Sequence, residues 1–246
     1  MTKDLLSVIT CTGARPEAFD LCKKYMRHQT YEELIQWIIV YDTDERPVTS
    51  DLPGNVNPEV YLSSKKWREG LNTQRYNMEE ALKHVRGDYI VIFEDDELYQ
   101  PIYLEDMVDL LTYCDLAGVC NSKYYHVGLP GYKEMHNYNH AALSHTALTK
   151  SVLPFLQAAI DSGELFFDVH LWNRAKEKRI TSLLLSNSNI VIGMKGLPGR
   201  EGIGAGHKIK DYLLDPNLVK LEEWCGAYAS NYLPFIKRNN DRRNNQ

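Results

Sequence analysis

The chain has 246 residues, a net charge of −5, and 43% hydrophobic and 25% charged residues, the make-up of an ordinary globular protein. No apolar run approaches the ~20 residues that cross a bilayer. The start, MTKDLLSVIT, carries acid early and lacks the apolar core and small-residue cleavage site of a signal peptide. Five cysteines without a C-x-x-C pair speak against a disulfide framework or a zinc site and for a reducing, cytoplasmic setting. The charge is uneven. Residues 195–246 hold nine Lys and Arg against six Asp and Glu, a local +3, and the remainder carries −8. That basic excess suits phosphate groups but is too weak to announce nucleic-acid binding.

Residues 5–10 form a short apolar strand, followed by the loop CTGARP. Ala18, Leu21, Cys22 and Tyr25 then share one helix face. LIQWIIVY, residues 34–41, is a second buried strand that ends in Asp42-Thr43-Asp44. Residues 43–58, with three prolines and a glycine, connect to a short strand at 60–62. Met78, Ala81, Leu82 and Val85 give a further helix, stopped by Gly87. Strand–helix–strand units with polar strand ends open a doubly wound α/β sheet with helices on both faces.

The next stretch is YIVIFEDDELYQPIYL. Its β-branched and aromatic start reads as a buried strand, and it breaks into Glu94, Asp95, Asp96 and Glu97 before a helix that begins after Pro101. In an extended segment residues two apart share a face, which places Glu94 with Asp96 and Asp95 with Glu97. Two hard oxygen donors at the carboxyl end of an α/β strand make a seat for Mg²⁺ or Mn²⁺. The plainer alternative is a solvated acidic turn that favours the start of the next helix.

Beyond residue 111 short strands are expected at 116–120, 124–127, 183–185 and 189–192, with helices at 152–160, 168–178 and 218–228. A polar loop covers 128–139, and the tail KRNNDRRNNQ reads as mobile. Residues 193–206 contain six glycines, too many for regular structure, and glycine lets backbone N–H groups approach and cradle phosphate. Lys195, Arg200 and Lys208 add cations there, and His207 adds a borderline metal ligand. A surface loop without a ligand is the alternative. His126, His136, His140 and His145 show no metal spacing and are expected on the acceptor side or exposed. The Tyr-rich segment 124–138 could stack on a sugar or base.

Five pieces in order resemble GT-A-fold glycosyltransferases, most closely the inverting nucleotide-sugar enzymes of family 2. They are SVITCTGARP, HQTYEELIQWIIVYDTD, the Arg-x-Asn in LNTQRYNMEE, GDYIVI, and the acid cluster followed by Pro101. The resemblance covers about the first hundred residues closely. It implies one GT-A domain over residues 1–207, with a nucleotide-sugar half at about 1–112 and an acceptor half at about 113–207. A C-terminal helical segment and basic tail occupy 208–246.

The resemblance also implies roles. Thr10, Thr12 and Arg15 would line the nucleotide cleft, Asp42 would meet the base or ribose, and Arg75 would lie near the diphosphate or base. Asp95, Lys195 and Arg200 are counted with these donor contacts. The D-x-D-like pair falls on Glu94 and Asp96, with Glu in place of the usual first Asp, and His207 from the glycine loop would complete the metal site. Such loops often close only over bound donor. In FFDVHLWNRAKEKR, Asp168 takes the place of the general base, although the usual Glu-Asp pair has Phe167 first. The alternative for Asp168 is a helix N-cap.

The expected activity is transfer of a sugar from a nucleotide-sugar, a UDP-sugar foremost, to a hydroxyl acceptor with inversion, assisted by Mn²⁺ or Mg²⁺. The acceptor and the oligomeric state are open. Arg238, Arg242 and Arg243 would suit a phosphate-bearing acceptor such as DNA with hydroxymethylated bases. A sugar-phosphate nucleotidyltransferase is the second class, but CTGARP is short and poor in Gly and Lys for its phosphate loop. A non-catalytic nucleotide-sugar binding module is the third.

Overall fold

The computed structural model describes residues 5–186, 189–200 and 202–244, with side chains to residue 239; the first four residues, on which the leader reading partly rests, lie outside it. In chain order the elements are β1 (Leu6–Thr12), α1 (Pro16–Arg27), β2 (Ile35–Tyr41), β3 (Val56–Leu62), α2 (Gln74–Leu82), β4 (Tyr89–Ile92), β5 (Glu97–Tyr99) and α3 (Tyr103–Leu111). The second half adds β6 (Leu116–Val119), β7 (Lys123–His126), β8 (Gly131–Glu134), β9 (Thr146–Thr149), α4 (Leu153–Asp161), α5 (Phe167–Glu177), β10 (Ser182–Leu185) and β11 (Val191–Lys195). The last elements are β12 (Leu213–Leu214), α6 (Val219–Cys225) and α7 (Leu233–Asn244).

The main sheet has the order β10-β6-β9-β4-β1-β2-β3. Only β9 runs against its neighbours, pairing antiparallel with both β4 and β6. Strand alternation divides the core into two layers. Leu6 and Val8 of β1 pack with Ala18, Cys22 and Tyr25 of α1, while Ile9 and Cys11 face Met78 and Ala81 of α2 and Leu156 of α4. β3 carries Pro58, which is tolerated because β3 is an edge strand.

A second sheet, β12-β8-β7-β11-β5, stands at the carboxyl end of the first. It is tied to it by the acidic stretch, since β5 begins only a few residues after β4 ends. β5 is absent from the sequence expectation, as are β8 inside the polar loop and β9. The glycine segment starts as strand, with β11 running to Lys195. The tail departs most: residues 233–244 form α7 rather than a mobile end. Leu221, Trp224 and Tyr232 join the core layer of α1 and α3. All five cysteines are buried and free. No helix among the described residues is long and apolar enough to cross a membrane.

Candidate active site

A cleft of about 810 Å³ opens where the parallel strands β1 and β4 end. Such strand ends are where open α/β sheets bind ligands. Glu94, Asp96, Glu97, Asp168, Lys195, Arg200, His207 and Arg15 all line it. Trp67, Leu165, Phe166 and Ile203 give it an exposed apolar rim.

The four acids do not alternate as an extended strand would, because Asp95 and Asp96 lie in a turn between β4 and β5. The turn sends Asp95 away from the others. Its carboxylate accepts Thr12 Oγ1 at 2.7 Å and Arg15 Nη2 at 2.5 Å. Glu97 instead joins Glu94 and Asp96, and their oxygens lie within 4.8 Å of one another. Gln74 Nε2 donates to Glu94 at 2.6 Å, and the Tyr99 hydroxyl accepts the Glu94 backbone N–H at 2.8 Å.

Asp96 Oδ2 gathers two cations and an imidazole. Lys195 Nζ lies at 2.9 Å, Arg15 Nη1 at 3.1 Å and His207 Nε2 at 3.4 Å. Lys195 Nζ also reaches Glu97 Oε1 at 2.7 Å. Burial alone would raise the Asp96 pKa, but Lys195 and Arg15 hold it well below the usual carboxylate range. Glu94 lies the other way, pushed up to about 8 by burial and by the charges of Asp96 and Glu97. Glu97 also meets His145, whose Nε2 is 3.5 Å away and whose Nδ1 faces Ser122 Oγ at 3.3 Å. Gly193, opposite Glu97 in the β5–β11 pairing, leaves room for this arrangement: a Cβ there would stand 2.3 Å from the Tyr124 ring and 2.9 Å from Glu97 Oε2.

Glu94, Asp96 and Glu97 with His207 beside them fit a divalent ion by donor chemistry, as three hard oxygens and one imidazole. Glu97 Oε2 is buried and makes no hydrogen bond, with His145 Nε2 standing 3.5 Å from it, and a cation would satisfy it.

The remaining expected site residues divide. Thr10 shares the β1 face of Leu6 and Val8, so it points into the core, donating to Phe93 O at 2.6 Å and accepting from Trp37 Nε1 at 2.8 Å. Thr12 reaches the site through Asp95 rather than by lining the cleft. Asp42 is fully buried behind Arg200, which donates to its Oδ2 at 2.8 Å and to Thr73 Oγ1 at 2.9 Å. Thr73 and Asn77 bind the same Asp42 oxygen, at 2.5 and 3.0 Å. A Cβ on Gly13 would fall 2.0 Å from Asp42 Oδ1, so only glycine leaves Asp42 its place. Arg75 is turned to Glu79, 2.9 Å away, and lies outside the cleft.

Asp168 is the second residue of α5, two positions inside the N-cap residue Phe166, so it is not itself the N-cap. Burial raises its pKa, while the backbone N–H of Val169 and the charge of His140 pull it back. Among the histidines, His140 lines the cleft and His145 is fully buried beside Glu97. Tyr124 lines the cleft, whereas Tyr125 and Tyr132 are spent inside the fold, on Asp215 and on the Trp224 ring. Arg238 pairs with Glu17 through both terminal nitrogens, at 2.9 and 3.1 Å. The side chains of Arg242 and Arg243 lie outside the described residues.

The cleft thus joins an acid cluster at the end of β4 to a carboxylate on α5, over a mixed sheet with one reversed strand. The profile described as Glycosyl transferase family 2 matches residues 7–162, more than half of the chain. The chain belongs to glycosyl transferase family 2. No match is found among curated proteins. Among solved structures, 436 chains match in fold. S. aureus TarS is one, at 12% identity and a TM-score of 0.53 over 77% of this chain. TarS 1–349 with UDP gives 12% identity and a TM-score of 0.55 over 77% of this chain. TarS 1–349 with UDP-GlcNAc gives 13% and 0.52 over 80%. The family 2 chain described here spans 36% of TarS and 60% and 59% of those two shorter forms. At such identities the likeness is one of fold, and the fold of this family 2 member is GT-A.

Proposed function

We propose that this chain transfers a sugar from a UDP-sugar to a hydroxyl acceptor with inversion, with Asp168 as general base. The observation that carries the reading is that Asp168, with its pKa raised by burial, lines the same cleft as the acidic turn after β4. One carboxylate is thereby available to the acceptor, and a separate cluster of charge is available to the donor diphosphate.

In this mechanism Asp168 accepts the proton of the acceptor hydroxyl as that oxygen attacks the anomeric carbon. The bond to the diphosphate breaks on the opposite side, so the configuration inverts. Lys195, Arg15 and Arg200 supply positive charge to the departing diphosphate. Glu94, Asp96, Glu97 and His207 would hold Mn²⁺ or Mg²⁺, which when bound stabilises negative charge on the leaving phosphates. Asp42, whose Oδ1 is buried without a hydrogen-bond partner, would read the uridine once Arg200, which covers it, turns to the diphosphate. The apolar rim of Trp67 and Phe166 would shield the reacting centre from water and receive the acceptor.

The test is a thermal-shift screen of nucleotide-sugars with and without Mn²⁺. A UDP-sugar should raise Tm, since a ligand at a hundred times its Kd adds about 2.7 kcal/mol to the folded state. Mn²⁺ should enlarge the shift, and Asp96→Ala should remove the enlargement. A screen in which no UDP-sugar shifts Tm would sink the donor assignment.

A further inference from the structure

Lys195 occupies an unusual position for a donor-binding cation. It sits on a strand rather than on the glycine loop that follows, and it is only 4% exposed. The β5–β11 pairing fixes it: Gly193 stands opposite Glu97, and the Met194 N–H donates to Asp96 O at 2.9 Å. Its ammonium therefore lies between Asp96 Oδ2, at 2.9 Å, and Glu97 Oε1, at 2.7 Å. These belong to two of the three carboxylates that cluster to offer oxygens to a cation.

We propose that Lys195 is the resident cation of the acidic cluster and competes with a divalent ion for Asp96 and Glu97. An ion drawn to Asp96 and Glu97 would have to share with the ammonium the two oxygens it already holds, which weakens them as ligands. An ion that took them would stand a few ångström from a positive charge that β11 keeps in place, inside a site where repulsion is weakly screened. Nor can Lys195 simply be released, because a buried ammonium stripped of both partners is costly. The free protein therefore binds divalent ions weakly. An anionic diphosphate in the cleft, which Lys195 lines, gives the ammonium a new partner and frees Asp96 and Glu97 for the ion. Lys195 thus couples ion and diphosphate, and by linkage each strengthens the other. This last step rests on the donor reading above; the competition itself does not.

The experiment titrates chelator-stripped protein with Mn²⁺ and reads the free ion by electron paramagnetic resonance, first without nucleotide and then with saturating UDP. Without nucleotide the wild type should bind Mn²⁺ no tighter than about 10⁻⁴ M, the weak end for oxygen sites. Lys195→Met should bind it at least about tenfold tighter, and UDP should improve its affinity by a smaller factor than in the wild type. Lys195→Arg, which keeps the charge, should stay weak. Micromolar Mn²⁺ binding by the nucleotide-free wild type would overturn the proposal. So would a folded Lys195→Met with unchanged or weaker affinity. If Lys195→Met does not fold, the wild-type and Lys195→Arg titrations decide. Calorimetry of UDP on the wild type runs alongside: no UDP binding in any condition removes the donor reading and leaves the nucleotide-free Mn²⁺ arm to stand or fall alone.

Discussion

Asp168 shows how one residue can be separated from its surroundings by experiment. It lies inside the first turn of α5, where a negative charge is favoured by the helix dipole, but burial works against ionisation and wins. A carboxyl whose folded pKa is raised costs the fold nothing below its unfolded pKa, progressively more as pH rises from that value to the folded one, and a constant amount above it. Asp168→Asn removes that cost, so its Tm should equal or exceed the wild-type value, with the difference growing across that window and level above it. Its transfer rate should nonetheless fall by about 10² to 10⁴, the usual worth of a general base. The acid limb of the wild-type kcat/KM profile should lie above the pH at which an ordinary aspartate titrates. Melting curves and rates of the Asn variant across pH check all three. A stable and fully active Asn variant would remove Asp168 from the mechanism.

At the scale of elements, the glycine segment after β11 is held at two points. Arg200 pins it to the buried Asp42, and His207 pins it to Asp96. A charge-assisted hydrogen bond of this kind is worth about 1.5–3 kcal/mol. Arg200→Ala should therefore speed hydrogen exchange in residues 196–200 and 202–207 by about tenfold or more while leaving β4 unchanged. Equal exchange in wild type and variant would mean that other contacts hold the segment. The same elements explain what could be read in the sequence. β1, β2 and β4 are short runs rich in β-branched and apolar residues with polar ends, and the acid cluster begins two residues after β4. β9 could not be found, because Thr146–Thr149 offers only Ala147 and Leu148 as apolar residues and owes its place to pairing with β4 and β6. Glu97 was hidden for a related reason. Alternation assigns it to the face of Asp95, and only the turn before β5 swings it toward Glu94 and Asp96. Gln74 and His145 became visible as partners of the cluster only once α2 and the segment before β9 were placed beside it.

For the whole molecule the question is what the C-terminal helices contribute to a site that none of them touches. α7 was unreadable from KRNNDRRNNQ because its packing residues precede that polar run: Phe235 and Ile236 are buried, and Tyr232 just before the helix is fully buried. The Tyr232 hydroxyl meets the Tyr25 hydroxyl of α1 at 2.6 Å, and Lys24 Nζ donates to Asn231 at 2.6 Å. α1 is in turn the helix that follows Arg15, the guanidinium that binds Asp95 and Asp96. The C-terminal segment therefore buttresses the helix behind the site. Tyr232→Ala should cost about 3–5 kcal/mol, as expected for emptying an aromatic position in a packed core. For a protein of this size that is a fall of about 6–20 °C in Tm. Tyr232→Phe keeps the ring and loses only the hydroxyl contact, and Tyr25 retains Asn231 Nδ2 at 3.4 Å, so its cost should be about 1 kcal/mol. Calorimetric melting of the two variants measures both values. UDP affinity should hold in the Phe variant and weaken in the Ala variant only near its lowered melting point, where the folded fraction falls. A Tyr232→Ala protein that melts with the wild type would show that the terminal helices are an attachment, not part of the core that supports Arg15.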